Sequence, residues 1–209
     1  GTCGRYTTIY SENGPAIVQD MGTDWTLDYV RLKNLVSLGA FVANNSFDDG
    51  GNVDWTINER PGGTTYYWIA GQGNYYDAAH WSLTSGGVTS GCIPGPDDIA
   101  IFDANSGLVA GNQITLDASA SLRTLNWTDL SAPITFVGNA EDVFFIRTSL
   151  FGSTNLTFNW DGAFVFNTTN ANVDITSNGG NWNVDMTISN TNILRFLDVF
   201  TNSRDIAID

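Results

Sequence analysis

The stretch ITFVGNAEDVFFIRTSLFGSTNLTFNWDGAFVFNTT, residues 134–169, repeats one simple pattern. Short runs of alternating apolar and polar residues are separated by turns rich in Asn, Gly, Asp, Ser and Thr. Alternation with a period of two predicts half-buried strands, because successive side chains of a strand point to opposite faces. The runs of this stretch are residues 134–139, 143–150, 156–160 and 163–169.

The same rhythm continues on both sides of this stretch. Further runs begin roughly every 8 to 12 residues, which is typical of a β-sandwich or of a β-helix in which successive coils stack. The strands are short and similar, and hairpin dipeptides between them are scarce, so an all-β β-helix or β-solenoid is predicted and a β-sandwich is the alternative. The added runs are residues 114–117, 122–127, 173–179, 182–188, 193–200 and 206–209.

Composition and charge exclude several classes of partner. The 209 residues include 8 basic and 22 acidic side chains, a net charge of −14. Binding of nucleic acid or of an anionic membrane surface needs clustered Lys and Arg, so neither is expected. No stretch of 18 uninterrupted apolar residues occurs, and membrane insertion is not expected either.

The chain is predicted to divide in two. Residues 1–62 contain their own alternating runs, at 5–10, 15–20, 27–38 and 40–49, and the Pro/Gly stretch 58–63 follows as a linker. Residues 63–209 begin with an aromatic, glycine-rich block and continue into the repetitive strands. Because the chain starts and stops in strand-like sequence, we expect it to be a piece of a longer protein.

The aromatic block, YYWIAGQGNYYDAAHWSLTSGG at residues 66–87, has two interpretations. Trp68, Tyr75 and Trp81 are candidates for a platform on which sugars stack, or they pack inside a cap. His80 is the single histidine, so a Ser-His-Asp triad would have to be built on it. A lone histidine beside tryptophan is more typical of packing, and no catalytic residue is assigned. A polysaccharide-active β-helix enzyme or a carbohydrate-binding module is the alternative function.

The segment CIPGPDDIAIFDANSG, residues 92–107, offers acidic turns. Asp97, Asp98 and Asp103 are candidate calcium ligands, because Ca²⁺ takes six to eight oxygen atoms. Asp residues in such turns also serve as caps that bind backbone N–H groups, and this interpretation stays open. Calcium is the single cofactor considered.

The two cysteines, Cys3 and Cys92, are too few for a zinc site with one histidine. A disulfide between them would close a long loop, which in the chain-entropy model stabilises the fold by roughly 4–5 kcal/mol. Two free thiols, or bonds to neighbouring segments of a longer protein, are the alternatives.

Residues 66–107 resemble a repeat of giant surface proteins from gliding and biofilm-forming Bacteroidota. That repeat has an aromatic-Trp-x-Gly-Gly-x-Gly-Asn-Trp opening, then Asp-x-x-His-Trp-Ser, Cys-x-Pro, Asp-Asp and Phe-Asp-x-Asn-Ser. Residues 35–55 are similar to the end of a preceding repeat, and the part from Gly111 onward to the β-rich body. Ala70 and Tyr75 depart from the pattern, where Gly and Trp are common. The matching residues are Tyr67, Trp68, Gly71, Gly73, Asn74, Asp77, His80, Trp81, Ser82, Gly86, Gly87, Cys92, Pro94, Asp97, Asp98, Phe102, Asp103, Asn105 and Ser106.

The resemblance implies a secreted, cell-surface adhesin built from tandem β-rich repeats. Members of the SprB type serve in gliding motility and leave the cell through the type IX secretion system. The implied partners are neighbouring repeats of the same chain, the export machinery, and glycans or abiotic surfaces. The family has no catalytic residues to transfer, so the resemblance implies that His80 and Trp81 define the packing of the repeat.

Overall fold

The structure is a computed structural model that describes residues 1–3, 5–19, 25–59, 63–167, 172–189 and 193–208. The chain divides into two compact units, Gly1–Gly62 and Gly63–Asp209. Residues 60–62 of the predicted linker lie outside the described part. Both units are β-solenoids, and together they make about eight turns. The only helix in the described residues is a three-residue 3₁₀ turn, Ala78–His80.

The strands are numbered in chain order. Those of the first unit are β1 Thr7–Tyr10, β2 Ala16–Gln19, β3 Trp25–Asp28, β4 Val30–Lys33, β5 Leu35–Asp48 and β6 Val53–Glu59. Those of the second unit are β7 Thr65–Trp68, β8 Gly73–Asn74, β9 Trp81–Ser82, β10 Ile99–Ile101, β11 Gln113–Leu116, β12 Ala120–Asn126, β13 Ile134–Gly138, β14 Val143–Phe151, β15 Leu156–Trp160, β16 Ala163–Asn167, β17 Asn172–Thr176, β18 Asn181–Trp182, β19 Asp185–Ser189, β20 Ile193–Phe196, β21 Thr201–Asn202 and β22 Ile206–Ile208.

Three parallel ladders form the second unit. The first ladder joins β7, β10, the C-terminal halves of β12 and β14, β17 and β20. The second ladder joins β8, β11, β13 and β15. The third ladder joins the N-terminal halves of β12 and β14 with β16, β19 and β22. The second ladder ends at β15, and β18 and β21 form a separate parallel pair in the last two coils. Because successive coils stack in parallel in this way, the predicted β-solenoid is confirmed and the β-sandwich alternative is wrong.

Like residues stack on like along the inside of the ladders. Leu125 pairs with Leu150, and Leu150 with Ile175, in the first ladder. Phe136 pairs with Phe158 in the second ladder. All five side chains are buried, and burial of a side chain of this size contributes about 1.5–3 kcal/mol. These rungs explain why an alternating sequence with variable turns still folds with a fixed register.

An aromatic pile runs through the centre of the second unit. The ring of Trp127 lies 5.7 Å from the rings of both Phe136 and Phe158, and 5.8 Å from that of Phe102. All four rings are buried, mostly in the tilted or edge-to-face arrangements that aromatic pairs prefer. The pile connects the aromatic block to the coils that follow it.

The first unit follows the same plan with shorter coils. The long strand β5 pairs in parallel with β2, β3, β4 and β6. Val30, Leu32, Leu35 and Ala43 form its small core. The prediction of one continuous strand over residues 27–38 is wrong, because left-handed backbone at Tyr29 and Asn34 turns the chain at two corners.

A second prediction of a single strand, over residues 182–188, is also corrected. The structure places a corner at Asn183–Val184 between β18 and β19. The side-chain amide of Asn202, one coil later, donates to the Val184 carbonyl at 2.9 Å and accepts from its N–H at 3.3 Å. An asparagine from the next coil therefore satisfies the backbone groups that the corner leaves without a strand partner.

Candidate functional site

The aromatic block forms the start of the second unit. β7 and β9 pair antiparallel, with Trp68 opposite Trp81. The 3₁₀ turn that precedes β9 is capped by Asp77, whose carboxylate accepts from the Ala79 N–H at 2.9 Å. This hairpin-like arrangement differs from the parallel pairing of the later coils and covers the edge of β7.

The three candidate sugar-binding aromatics are interior residues. Trp68 and Trp81 are 0% exposed and Tyr75 is 1% exposed. The indole N–H of Trp68 donates to the Gly71 carbonyl at 2.6 Å, and that of Trp81 to the Tyr75 carbonyl at 2.8 Å. The prediction of a sugar platform at these residues is therefore corrected, since buried rings offer no face for stacking.

His80 packs and bonds as a structural residue. Its ring stacks on Trp68 at 4.6 Å and 8°. Its Nδ1 lies 2.9 Å from the Ile69 carbonyl, which requires the proton on Nδ1 because a carbonyl only accepts. Its Nε2 lies 3.9 Å from the Asp77 carboxylate. These contacts include no hydroxyl that could serve as the nucleophile of a triad.

The three candidate calcium ligands have separate tasks. Asp98 is buried and accepts from the N–H groups of Gly95 at 2.8 Å and Thr64 at 3.2 Å. Asp97 forms an ion pair with Arg147 at 3.2 Å. Within the described ranges, no group of three or more His, Cys, Asp or Glu is arranged to hold a metal ion.

Asp103 organises the second half of the motif. It accepts from the Ser85 hydroxyl at 2.6 Å and from the Asn105 N–H at 2.9 Å. The buried Ser106 completes this turn, because its hydroxyl accepts from the Asp103 N–H and its carbonyl from the Gly71 N–H. The motif halves 66–87 and 92–107 are thus joined by hydrogen bonds through Asp103 and Ser106.

The two cysteines belong to different units, Cys3 to the first and Cys92 to the second. A bond between them would join the units, and it stays a prediction. Peptide mapping with and without reduction is the direct test, since an intact bond gives one linked peptide that reduction separates.

A shallow concavity of about 210 Å³ lies on the outer face of the second ladder. Its position follows from the register, in which Thr115 pairs with Asn74. The inward neighbours of these residues, such as Ile114, are buried in the core, and so the polar side chains face solvent. The lining residues are Gln72, Gly73, Asn74, Gln113 and Thr115.

The spacing of Gly73 and His80 in the aromatic block shapes the floor of this concavity. A Cβ atom added to Gly73 would overlap the ring of His80, chiefly at Nε2. That ring is fixed by its stack on Trp68 and its bond to Ile69. The Tyr75 N–H donates to the Thr115 carbonyl at 2.8 Å, which holds the two walls together.

The strands of the second ladder carry no charged residue. β8, β11, β13 and β15 read GN, QITL, ITFVG and LTFNW. The other two ladders do carry charges, for example the Asp174–Arg195 ion pair in the first and Asp185 in the third. In a chain of net charge −14, this face is uncharged but polar.

The phenol of Tyr75 lies under this region and is not available for acid–base chemistry. Burial raises the pKa of Tyr75 well above its ordinary value, and the neighbouring Tyr76 and Asp98 raise it further. The hydroxyl has no hydrogen-bond partner within the described residues. Tyr75 therefore stays neutral at physiological pH.

The sequence predicts a possible binding site at Trp68, Tyr75 and Trp81, and the structure places all three in the interior. The aromatic residues gave the strongest signal, yet they face inward. Thr recurs at outward positions, as at Thr135 and Thr157, which pair directly in the second ladder. This recurrence is the sequence signal for the uncharged polar face.

The fold and the site together define a three-laddered β-solenoid whose start is covered by an aromatic block and which carries one uncharged polar face. No protein-family model, curated protein or solved structure matches this chain significantly. The described residues contain no helix with the length and hydrophobicity needed to span a membrane.

Proposed function

We propose that the chain is a non-catalytic structural segment of a long, secreted adhesin fibre on the cell surface. The observation that supports this proposal is that the residues considered as catalytic or metal-binding candidates make contacts that hold the fold together. His80 stacks on Trp68, and Asp98 binds two backbone N–H groups. A solenoid whose polar and titratable side chains serve to stabilise the coils is suited to be a stiff spacer that displays surfaces along its length.

The last coil of the second unit supports stacking against a neighbouring repeat. In the described residues, β20 and β22 each pair with a strand on one side only. Apolar side chains are exposed there, including Leu197 at 56%, Val199 at 88% and Ile208 at 79%. Unpaired strand edges and apolar side chains form a surface on which a further coil adds favourably.

The resemblance to Bacteroidota adhesin repeats supports an extracellular location and export through the type IX secretion system. Antibodies against this chain should label intact cells of the source bacterium, and labelling should disappear when that secretion system is disabled. Labelling only after cell lysis would contradict the surface location. Loss of attachment to glass or glycan-coated surfaces in cells lacking the parent protein would support a role in adhesion and gliding.

The enzyme alternative is less well supported. Hydrolysis of a glycosidic bond needs two carboxylates placed about 5–10 Å apart across the substrate. The concavity is lined by Gln, Gly, Asn and Thr and contains no carboxylate.

An activity screen on plant and algal polysaccharides separates the two functions. We expect no release of reducing ends from the wild-type chain or from the Asp97→Ala and Asp98→Ala variants. Turnover by the wild-type chain that either substitution abolishes would contradict the adhesin proposal.

A further inference from the structure

We propose that the uncharged outer face of the second ladder, centred on the concavity between β8 and β11, binds a neutral polysaccharide. This inference rests on the proposed function and names the ligand class of the adhesive surface. The ligand would contact the outer face of this ladder, whereas Trp68, Tyr75 and Trp81 are buried in the interior.

The concavity presents polar groups without partners. The side chains of Asn74, Gln113 and Thr115 make no hydrogen bond within the described part of the chain, although all three reach solvent. Among the described residues, the one side-chain hydrogen bond of Gln72 is a 3.5 Å contact from the Asn112 amide to its carbonyl oxygen. Amides and hydroxyls both donate and accept, which matches the dual hydrogen-bonding character of sugar hydroxyls.

Charge selects a neutral ligand over an acidic one. None of the five lining residues is charged, and no cation faces the concavity from the four strands of this ladder. An acidic polysaccharide would meet the net charge of −14 without a compensating Lys or Arg. A cationic ligand would find no carboxylate in the lining.

The face extends beyond the concavity along the ladder. Thr135 and Thr157 continue the row that begins at Gln113. The neighbouring row contains Asn74, Thr115, Val137 and Asn159, of which Val137 alone is apolar. Adjacent strands are about 4.8 Å apart, a spacing comparable to the length of one sugar residue in an extended chain. An extended polysaccharide lying across the strands along the Gln113 row would thus meet a polar side chain on each of β11, β13 and β15.

The floor of the concavity is preorganised. Gly73 lies directly over the His80 ring, and that ring is held by Trp68 and Ile69. A rigid floor lowers the entropic cost of binding, because few groups need to be ordered when the ligand arrives. The motif residues therefore contribute to binding by shaping the surface and not by touching the sugar.

Binding of the 209-residue chain to soluble polysaccharides tests the proposal. Affinity electrophoresis and calorimetry would use mixed-linkage β-glucan, xyloglucan, mannan and dextran as neutral probes, with alginate and polygalacturonate as acidic comparators. We expect at least one neutral probe to bind and both acidic probes to fail. Asn74→Ala and Gln113→Ala should each weaken binding about fivefold, the effect of one lost hydrogen bond.

Gln19→Ala is the matched control, since Gln19 is also an exposed glutamine on a strand but lies in the first unit. It should leave affinity unchanged, and circular dichroism should show that all variants fold. Failure of all neutral probes, preference for an acidic probe, or affinity insensitive to the two concavity substitutions would overturn the proposed site.

The outcomes separate this site from the proposed function. If cells display the chain and use it for attachment but the chain binds no glycan, that result would contradict the proposed site alone. Release of reducing ends from a bound probe would instead contradict the non-catalytic function and leave the binding site in place.

Discussion

At the residue scale, a side chain at position 73 would occupy the volume that the His80 ring already fills. No side chain larger than hydrogen fits at position 73 while the imidazole keeps its stack on Trp68. The ring cannot move aside without losing the partly buried hydrogen bond from His80 Nδ1 to the Ile69 carbonyl. The glycine and the histidine of the motif therefore form one steric unit.

Gly73→Ala is expected to lower the free energy of unfolding by about 1–3 kcal/mol, the usual cost of overpacking. In a His80→Ala background the same change should cost much less, because the overlapping ring is gone. Urea unfolding of the wild type, both single variants and the double variant gives the coupling energy. Additive effects would show that the two residues do not compete for space.

Tyr75 and Tyr76 offer a matched pair. The Tyr75 hydroxyl is buried without a partner in the described structure, whereas the Tyr76 hydroxyl donates to the Ser119 carbonyl at 2.6 Å. Tyr75→Phe should leave stability unchanged or raise it by up to about 1 kcal/mol, since an unsatisfied group is removed.

Tyr76→Phe should instead cost about 1 kcal/mol through the lost hydrogen bond. Thermal unfolding of the two variants checks both expectations. A larger loss for Tyr75→Phe than for Tyr76→Phe would mean that the Tyr75 hydroxyl has a favourable interaction.

Sequence reasoning at this scale identified which residues matter but not which way they face. The packing role of His80 follows from its place between small and aromatic residues, and the contacts agree with that interpretation. The sequence does not determine whether Trp68 and Trp81 are exposed or buried, because an aromatic cluster is compatible with a surface or a core. The pairing of β7 with β9, which is not visible in the sequence, turns both rings inward.

At the element scale, the stacked rungs set the stability of the second unit. Leu150 lies between Leu125 and Ile175 in the first ladder and is fully buried. Leu150→Ala is expected to cost about 2–5 kcal/mol, because it leaves a cavity that a rigid coil cannot close.

Leu83, which is 56% exposed in the same unit, provides the control. Leu83→Ala should change stability by less than about 1 kcal/mol. Chemical denaturation of both variants measures the difference, and similar losses for the two would contradict the rung interpretation.

Asp198 ties the last described coil to the one before it. Its carboxylate accepts from the Ser177 N–H at 3.0 Å, the Asn178 N–H at 2.7 Å and the Ser177 hydroxyl at 3.0 Å. Desolvation raises the pKa of Asp198, but hydrogen bonds from Ser177, Thr176 and Asn178 outweigh it and hold the pKa below its ordinary value.

A lowered folded-state pKa means that this contribution is present above the unfolded pKa and is lost as pH falls through the folded value. Asp198→Asn should therefore cost about 1 kcal/mol at pH 7, and the difference from wild type should shrink in acid, below about pH 4. Melting curves at several pH values test this. Asp129→Asn, at an exposed turn, is the control for the loss of one negative charge.

The strands were predictable, but the corners were less so. The run 156–160 and strand β15 coincide, since turn residues border it on both sides. The run 27–38 predicts one continuous strand, because Tyr29 and Asn34 maintain the alternation, yet both residues adopt left-handed backbone. A corner of a solenoid is fixed by contacts to the coils above and below, as at Asn202 and Val184, and local sequence does not contain them.

At the scale of the whole molecule, the rhythm of short runs predicts a β-sandwich or a solenoid, and the scarcity of hairpin dipeptides favours the solenoid. The polar face was not predictable in the same way. Thr115 and Asn74 lie far apart in the sequence, and only the register between β8 and β11 brings them together. The boundary between the units lies within the Pro/Gly stretch that composition alone marks, whereas the assignment of each unit to an adhesin repeat stays a prediction.

The measurement that tests the central claim most directly is the unfolding of one 209-residue chain against two copies joined head to tail. If each segment is a stackable unit of a fibre, the joined pair should melt at a higher temperature. It should also unfold in urea with a larger m-value, because neighbouring coils share an interface. Identical melting temperatures and m-values for the single and joined chains would contradict the account.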